Sequence, residues 1–372
     1  MPLISLIAGW DALRVHGLPL NNSFQFYSPH FLDQLLHYSQ PKEERSNNES
    51  ISVVVPLRNE ATNVVELIDS LSAQKNLAQV EFLLLDDNSE DDTLTLLHQH
   101  TSAPSNFHIL NGSTLPQGWI GKTWALQQLF ERASGEIIVS VDADVRLVPD
   151  AINRAVTLLK NTHLDFLSPY PRQLAHSWSE RLIQPLLQWS WMSTVILRVA
   201  EKSSISSMVV ANGQFFVVRR AALAQVSGYD SVRNKVLDDV ELARALVKQG
   251  SHGCVANGAE IASTRMYSSW KEIQAGYGKS LHAAFGSVFG SAIAITFLFL
   301  TGIAPLIATI TGSAIGWYAY AAVTLTRVMS SIKAGKNPLE ALLHPISSAL
   351  LVYLIIYSWL MRGHVQWKGR TL

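Results

Sequence analysis

Residues 51–60, ISVVVPLRNE, change character at their midpoint: Ile51, Val53, Val54 and Val55 surround a lone serine, and Pro56, Leu57, Arg58, Asn59 and Glu60 follow. An apolar run of strand length, unbroken rather than alternating, marks a strand covered on both faces, as in a parallel sheet between helices. The same transition recurs twice. Residues 80–85 (VEFLLL) run into Asp86-Asp87-Asn88-Ser89, and residues 136–141 (EIIVSV) run into Asp142-Ala143-Asp144. Between them, residues 64–72, 93–100 and 123–132 carry apolar side chains at helical spacing. Strand-helix alternation of this kind predicts a doubly wound α/β domain. Ligands of open parallel sheets bind in the crevice beyond the carboxyl ends of the strands, so the three polar clusters are expected to share one site.

Asp142 and Asp144 flank a single alanine. In an extended segment, residues i and i+2 point the same way, so both carboxylates can face one cation. Hard cations such as Mg²⁺ or Mn²⁺ favour oxygen ligands and accept one or two carboxylates plus substrate phosphates. Taken alone, Asp-Ala-Asp reads more readily as a solvated turn; the buried strand before it and the matching polar clusters reverse that preference. Asp86 and Asp87 stand at a strand end where a carboxylate can accept hydrogen bonds from a nucleobase. Glu90, Asp91 and Asp92 have a plainer explanation: Ser89 with Asp92 three residues on reads as a capping box opening the next helix. Asp238 and Asp239 precede a helical stretch over 240–246, and acidic residues suit a helix start too.

The order and spacing of these pieces resemble the signature series of family-2 glycosyltransferases with the GT-A fold: Val53-Val54-Val55-Pro56-Leu57-Arg58-Asn59-Glu60, Leu85-Asp86-Asp87-Asn88-Ser89 and Val141-Asp142-Ala143-Asp144. Residues 118–126, GWIGKTWAL, are similar to the subgroup associated with hopanoid and carotenoid glycosylation. Gly213-Gln214-Phe215, Arg219-Arg220, Gly228-Tyr229, residues 237–243 (LDDVELA) and Trp367-Lys368-Gly369-Arg370 continue the pattern. The resemblance implies a Rossmann-like, mostly parallel sheet with helices on both faces. It places Pro56, Arg58 and Glu60 in a nucleotide pocket, one or both of Asp86 and Asp87 on the uracil and ribose, and Lys122 near the diphosphate. It makes Asp142 and Asp144 the metal motif for Mg²⁺ or Mn²⁺, puts Asp142 and Asp238 in the donor site, and makes Asp239 the general base. The chemistry is coherent. Displacement at an anomeric carbon needs the leaving diphosphate's charge neutralised and a carboxylate on the opposite face to take the acceptor's proton. The Gln-x-x-Arg-Trp motif of processive polysaccharide synthases is missing; the corresponding stretch reads Arg265-Met266-Tyr267-Ser268-Ser269-Trp270-Lys271. Its absence favours transfer of one sugar to a discrete acceptor, and one metal site with one distant carboxylate is the minimum for an inverting transfer.

The acceptor side is suggested by charge distribution. No Asp, Glu, Lys or Arg occurs between Ser280 and Thr326, a run of 47 residues, nor between Ala341 and Met361. At about 1.5 Å per helical residue the first run reaches roughly 70 Å, enough to cross a hydrocarbon core of about 30 Å twice. Three transmembrane helices are therefore expected over 281–363, the first two turning near 302–305 or near 311–313. The expected plan is an N-terminal segment and polar linker over 1–50, the GT-A domain over 51–280, the membrane helices, and a short basic tail over 364–372. Residues 1–10 are apolar but short and lack a basic leader. Residues 177–199 carry Trp178, Trp189 and Trp191, which suits either an interfacial helix or a core helix. Arg327, Lys333 and Lys336 on one side of the last span, and Arg362, Lys368 and Arg370 on the other, both ask to be cytoplasmic. Three complete spans cannot satisfy that, so one segment is re-entrant or interfacial, or the number of spans is not three.

Formal net charge is zero, with 29 basic and 29 acidic residues, which argues against a nucleic-acid partner, and the single Cys254 excludes an internal disulfide. The expected partners are a nucleotide-sugar donor, UDP-linked by resemblance, an isoprenoid lipid such as a carotenoid or hopanoid, and the cell membrane, with the catalytic domain on its cytoplasmic side. Polyprenyl phosphate or a glycerolipid is the alternative acceptor. A catalytically silent nucleotide-sugar-binding membrane protein is the alternative class, against which the intact Asp142, Asp144 and Asp239 speak.

Overall fold

The computed structural model describes residues 47–101, 106–194, 206, 209–333, 337–362, 366–367 and 370–371. Residues 1–46, with the N-terminal segment and most of the expected linker, lie outside that set, as do residues 195–200, Lys336 and Lys368 and the side chains of Trp191, Lys333 and Arg370. The end of the expected linker is strand: residues 47–50 belong to β1.

In chain order the elements are β1 (Asn47–Leu57), α1 (Val64–Ser72), β2 (Leu77–Asp86), α2 (Thr93–His100), β3 (Phe107–Asn111), α3 (Gly121–Arg132), β4 (Ile137–Val141), β5 (Val145–Leu147), α4 (Ala151–Asn161) and β6 (Phe166–Gln173). Then come α5 (Trp178–Thr194), β7 (Phe215–Arg219), α6 (Arg220–Gln225), α7 (Asp238–Lys248), β8 (Gly253–Thr264) and α8 (Trp270–Ala284). Eight strands form one sheet in the order β3-β2-β1-β4-β7-β6-β8-β5. The first four are mutually parallel, as expected. Beyond β4 the sheet is mixed: β7 runs antiparallel to β4 and β6, β8 runs parallel to β6, and β5 runs antiparallel to β8.

The unbroken apolar strands are central because both faces are covered: Val53, Val54, Val55, Leu84, Ile138 and Val139 are all at most 1% exposed. Helix α1 buries Val64, Leu67, Ile68 and Leu71, one stripe at helical spacing. Pro56 is tolerated inside a central strand because β1 pairs with β4 only as far as Val54, leaving that edge open where the missing N–H would lie. Every strand end singled out in the sequence therefore opens on the same edge.

The C-terminal part is helical. One continuous helix, α9 (Val288–Ile310), contains a π-turn over Phe299–Ile303. After a turn at Gly312, φ +86°, α10 (Ala314–Lys333) doubles back, then a 3₁₀ turn (Pro338–Leu343) leads into α11 (His344–Leu360). Among the described residues two helical stretches, Val288–Ile310 and Pro338–Leu360, are long and apolar enough to cross a bilayer. The helix between them is not, and it carries the buried Arg327; the turn near 311–313 is the one observed. Phe289, Ile310, Ile315, Tyr318 and Leu360 are more than 70% exposed, so the outer surface of this part is apolar. Its inner side is not a separate core. Ile183, Leu186 and Trp189 of α5, Ile273, Tyr277 and Leu281 of α8, Leu298 of α9, and Leu351, Leu354 and Ile355 of α11 form one buried cluster. Trp189 stacks on Phe297 at 5.8 Å and donates Nε1–H to Thr326 at 2.9 Å. At that position α5 is a core helix and not an interfacial one.

Candidate active site

The β1 and β2 ends are knitted together by Arg58. Its Nη1 donates to the carbonyls of Asp87 at 2.7 Å and Asn88 at 2.6 Å, and Nη2 pairs with Glu90 at 3.0 Å. Asn59, at φ +51°, donates its N–H to Ser89 Oγ and accepts from Glu90 N–H. The expected capping box is therefore absent. Ser89 is engaged with β1, the N-cap Asp92 makes no side-chain cap bond, and the Thr93 N–H that opens α2 is taken by Asp91 Oδ1 at 3.0 Å. Arg58 sits behind the loop that carries the two acids. Asp86 is 4% exposed and Asp87 1%; Asp86 Oδ2 accepts from Ser89 N–H, and among the described residues its Oδ1 accepts nothing. Glu60 accepts from Asn63 Nδ2 at the start of α1.

Two strands away, roughly 10 Å at the usual strand spacing, β4 ends in Asp142-Ala143-Asp144. The segment is not extended: Val145 N–H bonds Asp142 carbonyl at 3.0 Å, closing a turn that delivers the chain to β5. The reason for expecting both carboxylates on one side thus differs from the one that holds, yet they do interact. Burial pushes the Asp144 carboxyl up to about 6, and the neighbouring Asp142 charge adds to it. Lys122, in the first turn of α3, places Nζ 2.8 Å from Asp142 Oδ1 and 3.0 Å from Oδ2. Burial pulls the ammonium down, but Asp142, Asp238 and Asp239 together hold it well above the ordinary lysine range.

Asp238 and Asp239 open α7. Burial raises both carboxyls, Asp238 to about 6, against the opposing pull of Lys122. Asp239 is held at both oxygens: Gly213 N–H reaches Oδ2 at 2.7 Å and Val240 N–H reaches Oδ1 at 2.8 Å. Gly213 is glycine for a visible reason, since a Cβ there would lie 3.1 Å from Asp239 Cβ. Asn212 and Gln214 fix its position. Ser168 Oγ donates to the Asn212 carbonyl and accepts its N–H, while Gln173 Nε2 donates to Gln214 Oε1 at 2.7 Å. Sequence reasoning missed Asn212, Ser168 and Gln173 as supports; the Gly213-Gln214 pair was the one signal.

Lys122, Asp142, Asp144, Asp238 and Asp239 are thus one electrostatic cluster, with Glu60 felt at Asp144. Asp86, Asp87 and Arg58 lie along the same sheet edge but form a second, separate knot. Among the described residues no group of three or more His, Cys, Asp or Glu is gathered as a complete metal cage. The donor set nonetheless suits Mg²⁺ or Mn²⁺. Asp142 and Asp144 present hard oxygens, the Lys122 ammonium already grips both Asp142 oxygens as a cation would, and a diphosphate with water completes such a shell.

A mixed sheet with an acid-rich carboxyl edge, flanked by helices, is the architecture of GT-A-type transferases. A mannosyltransferase from Pyrobaculum calidifontis, solved in complex with GDP-Man and Mn²⁺, shares this fold at TM-score 0.53 and 17% identity, over 96% of this chain and 97% of that one. Residues 52–226 match the model of Glycosyl transferase family 2. Over 290 residues the chain is 24% identical to 4,4'-diaponeurosporenoate glycosyltransferase of Staphylococcus haemolyticus, covering 77% of this chain and 74% of that protein. Over 213 residues it is 26% identical to beta-monoglucosyldiacylglycerol synthase of Trichormus variabilis, covering 55% of this chain but only 42% of that protein. Residues 52–226 therefore resemble the glycosyltransferases of family 2, the family whose model they match.

Proposed function

We propose that this enzyme moves a single hexose, with inversion, from a nucleotide sugar (UDP-linked by its resemblance) to a lipid acceptor such as a carotenoid or hopanoid at the cytoplasmic face of the cell membrane. The observation that carries the reading is Lys122, attracted at once by acids from two separate segments, Asp142 after β4 and Asp238 and Asp239 on α7. A cation so placed can pass from those carboxylates to a diphosphate without leaving the cleft. Asp142 and Asp144 would hold Mg²⁺ or Mn²⁺, which when bound supplies Lewis-acid neutralisation of the diphosphate. Lys122 adds its own positive charge to the same phosphates. Asp239, oriented by Gly213 and Val240 N–H groups, takes the acceptor's hydroxyl or carboxyl proton. The acceptor oxygen then bonds to the anomeric carbon, the carbon–oxygen bond to the diphosphate breaks, and the nucleoside diphosphate departs with that electron pair. The Asp86–Asp87 loop, braced by Arg58, faces the base and ribose. The apolar stretches Val288–Ile310 and Pro338–Leu360 support attachment to the bilayer, and the 4,4'-diaponeurosporenoate relative supports a carotenoid acceptor.

The Trichormus relative favours a second acceptor, diacylglycerol or its glycosylated form. Purified enzyme in detergent, given radiolabelled UDP-glucose with either a carotenoid acid or diacylglycerol, separates the two by which lipid becomes labelled. Asp239→Asn is expected to lower kcat by roughly 10²–10⁴-fold, the usual worth of a general base, with donor binding retained. EDTA should abolish transfer and Mn²⁺ restore it. Full activity in Asp239→Asn overturns the base assignment.

A further inference from the structure

Helix α10 buries a whole guanidinium: Arg327 is 1% exposed. Among the described residues its Nε and Nη1 have no hydrogen-bond acceptor. The group lies over the Trp189 ring at 5.9 Å from the centroid, and that ring meets His344 edge-on at 4.8 Å. His344, 1% exposed, leaves Nδ1 without a partner; Ser347, fully buried one turn along the same face of α11, leaves Oγ without one. Three buried polar side chains from two helices, donors or able to donate, therefore lack an acceptor in one place. Buried polar groups are nearly always satisfied, and an ionised residue inside an apolar helix bundle marks a functional site by default.

The local charge count points to the missing group. Glu340 attracts Arg327 electrostatically, but its Oε1 is already taken by Arg181 Nε at 2.6 Å. Among the described residues, one carboxylate between two guanidiniums leaves a positive charge in excess. The outward face of the same segment is apolar: Leu339, Leu342, Leu343 and Ile346 are 44–69% exposed. We infer that Arg327, His344 and Ser347 form a binding site for an oxyanion, phosphate or carboxylate, carried by a lipid whose chains lie along that apolar surface. The site lies on the C-terminal helices and α5, apart from the acidic cluster at the sheet edge, and it stands whether or not the acceptor assignment above is right.

Full-length protein in detergent tests it with phosphatidylglycerol, with diacylglycerol as the neutral control, and with inorganic phosphate. Phosphatidylglycerol should remain as a bound adduct in native mass spectrometry and raise the unfolding temperature, while diacylglycerol should not. Arg327→Gln should weaken that binding about 10- to 100-fold, the worth of charge-assisted hydrogen bonds, and Arg327→Lys should recover part of it. Ser347→Ala, which removes only a hydroxyl, should weaken it several-fold and serves if Arg327→Gln fails to fold. Inorganic phosphate protecting as well as phosphatidylglycerol would assign the site to a soluble oxyanion. The inference falls if neither ligand protects wild-type protein, or if Arg327→Gln and Ser347→Ala bind phosphatidylglycerol as tightly as wild type.

Discussion

Arg58 shows how a residue beside a binding site can act at one remove. Its fork grips the Asp87 and Asn88 carbonyls, so the loop's shape depends on a planar, two-pronged donor that lysine cannot imitate. Arg58→Lys is expected to raise the donor KM by about tenfold, one charge-assisted hydrogen bond's worth, with a smaller change in kcat; steady-state kinetics over UDP-glucose concentration reads the split. At this scale the acids at the strand ends stood out in the sequence as candidates because each follows a buried apolar run, although a turn or a helix start explained them too. Asp238 and Asp239 form the first turn of a helix, one of the readings the sequence allowed, and they also attract Lys122. What could not be read was backbone chemistry. The Gly213 N–H that orients Asp239 has no side chain to announce it, and Ser89 could not reveal that Asn59 N–H would claim its hydroxyl before α2 did.

Among elements, β1, β2 and β4 and the first three helices were readable because each buries a continuous run or a single stripe; β3, half-exposed along its length, was not. The mixed half of the sheet was not. β6, FLSPYPRQ, holds Pro169 and Pro171, which argue against a central strand. They fit because β6 pairs with β7 only at Phe166 and Leu167, so its edge is open beyond that point. A further junction ties α5 to the exit of β8. Glu180, fully buried, accepts from Arg265 Nε at 3.0 Å and from Ser177 N–H. Burial opposes the charge, but the Arg265 and Ser177 hydrogen bonds outweigh it and hold the carboxyl down at about 2, against an ordinary 4.5. A depressed carboxylate stabilises the fold above its unfolded value and loses that contribution as pH falls from about 4.5 towards about 2. Glu180→Gln should therefore lower stability by about 1–3 kcal/mol at neutral pH, with the difference from wild type shrinking below pH 4.5 in thermal melts. An unchanged difference at pH 3 would contradict it.

For the whole molecule, the expectation of a catalytic domain followed by separate membrane helices understates their union. α8 crosses residue 280, the expected boundary, and α5, α8, α9 and α11 share one buried cluster. Periodicity signals that a helix has an apolar face but not which partner covers it, which is why Trp189 could be read as interfacial. Trp189→Ser should cost about 3–5 kcal/mol, the range for emptying a buried tryptophan site, and lower the melting temperature while leaving liposome partitioning unchanged. Partitioning that drops with unaltered melting would restore the interfacial role. The shared core also has a consequence for acceptor choice. Were those apolar helices set in a bilayer, a cleft joined to them through packed side chains, and not through a swinging tether, would keep a set height above the lipid headgroups. Such an enzyme would act as a depth gauge, accepting molecules whose reactive end protrudes to that level and passing over those that stop short.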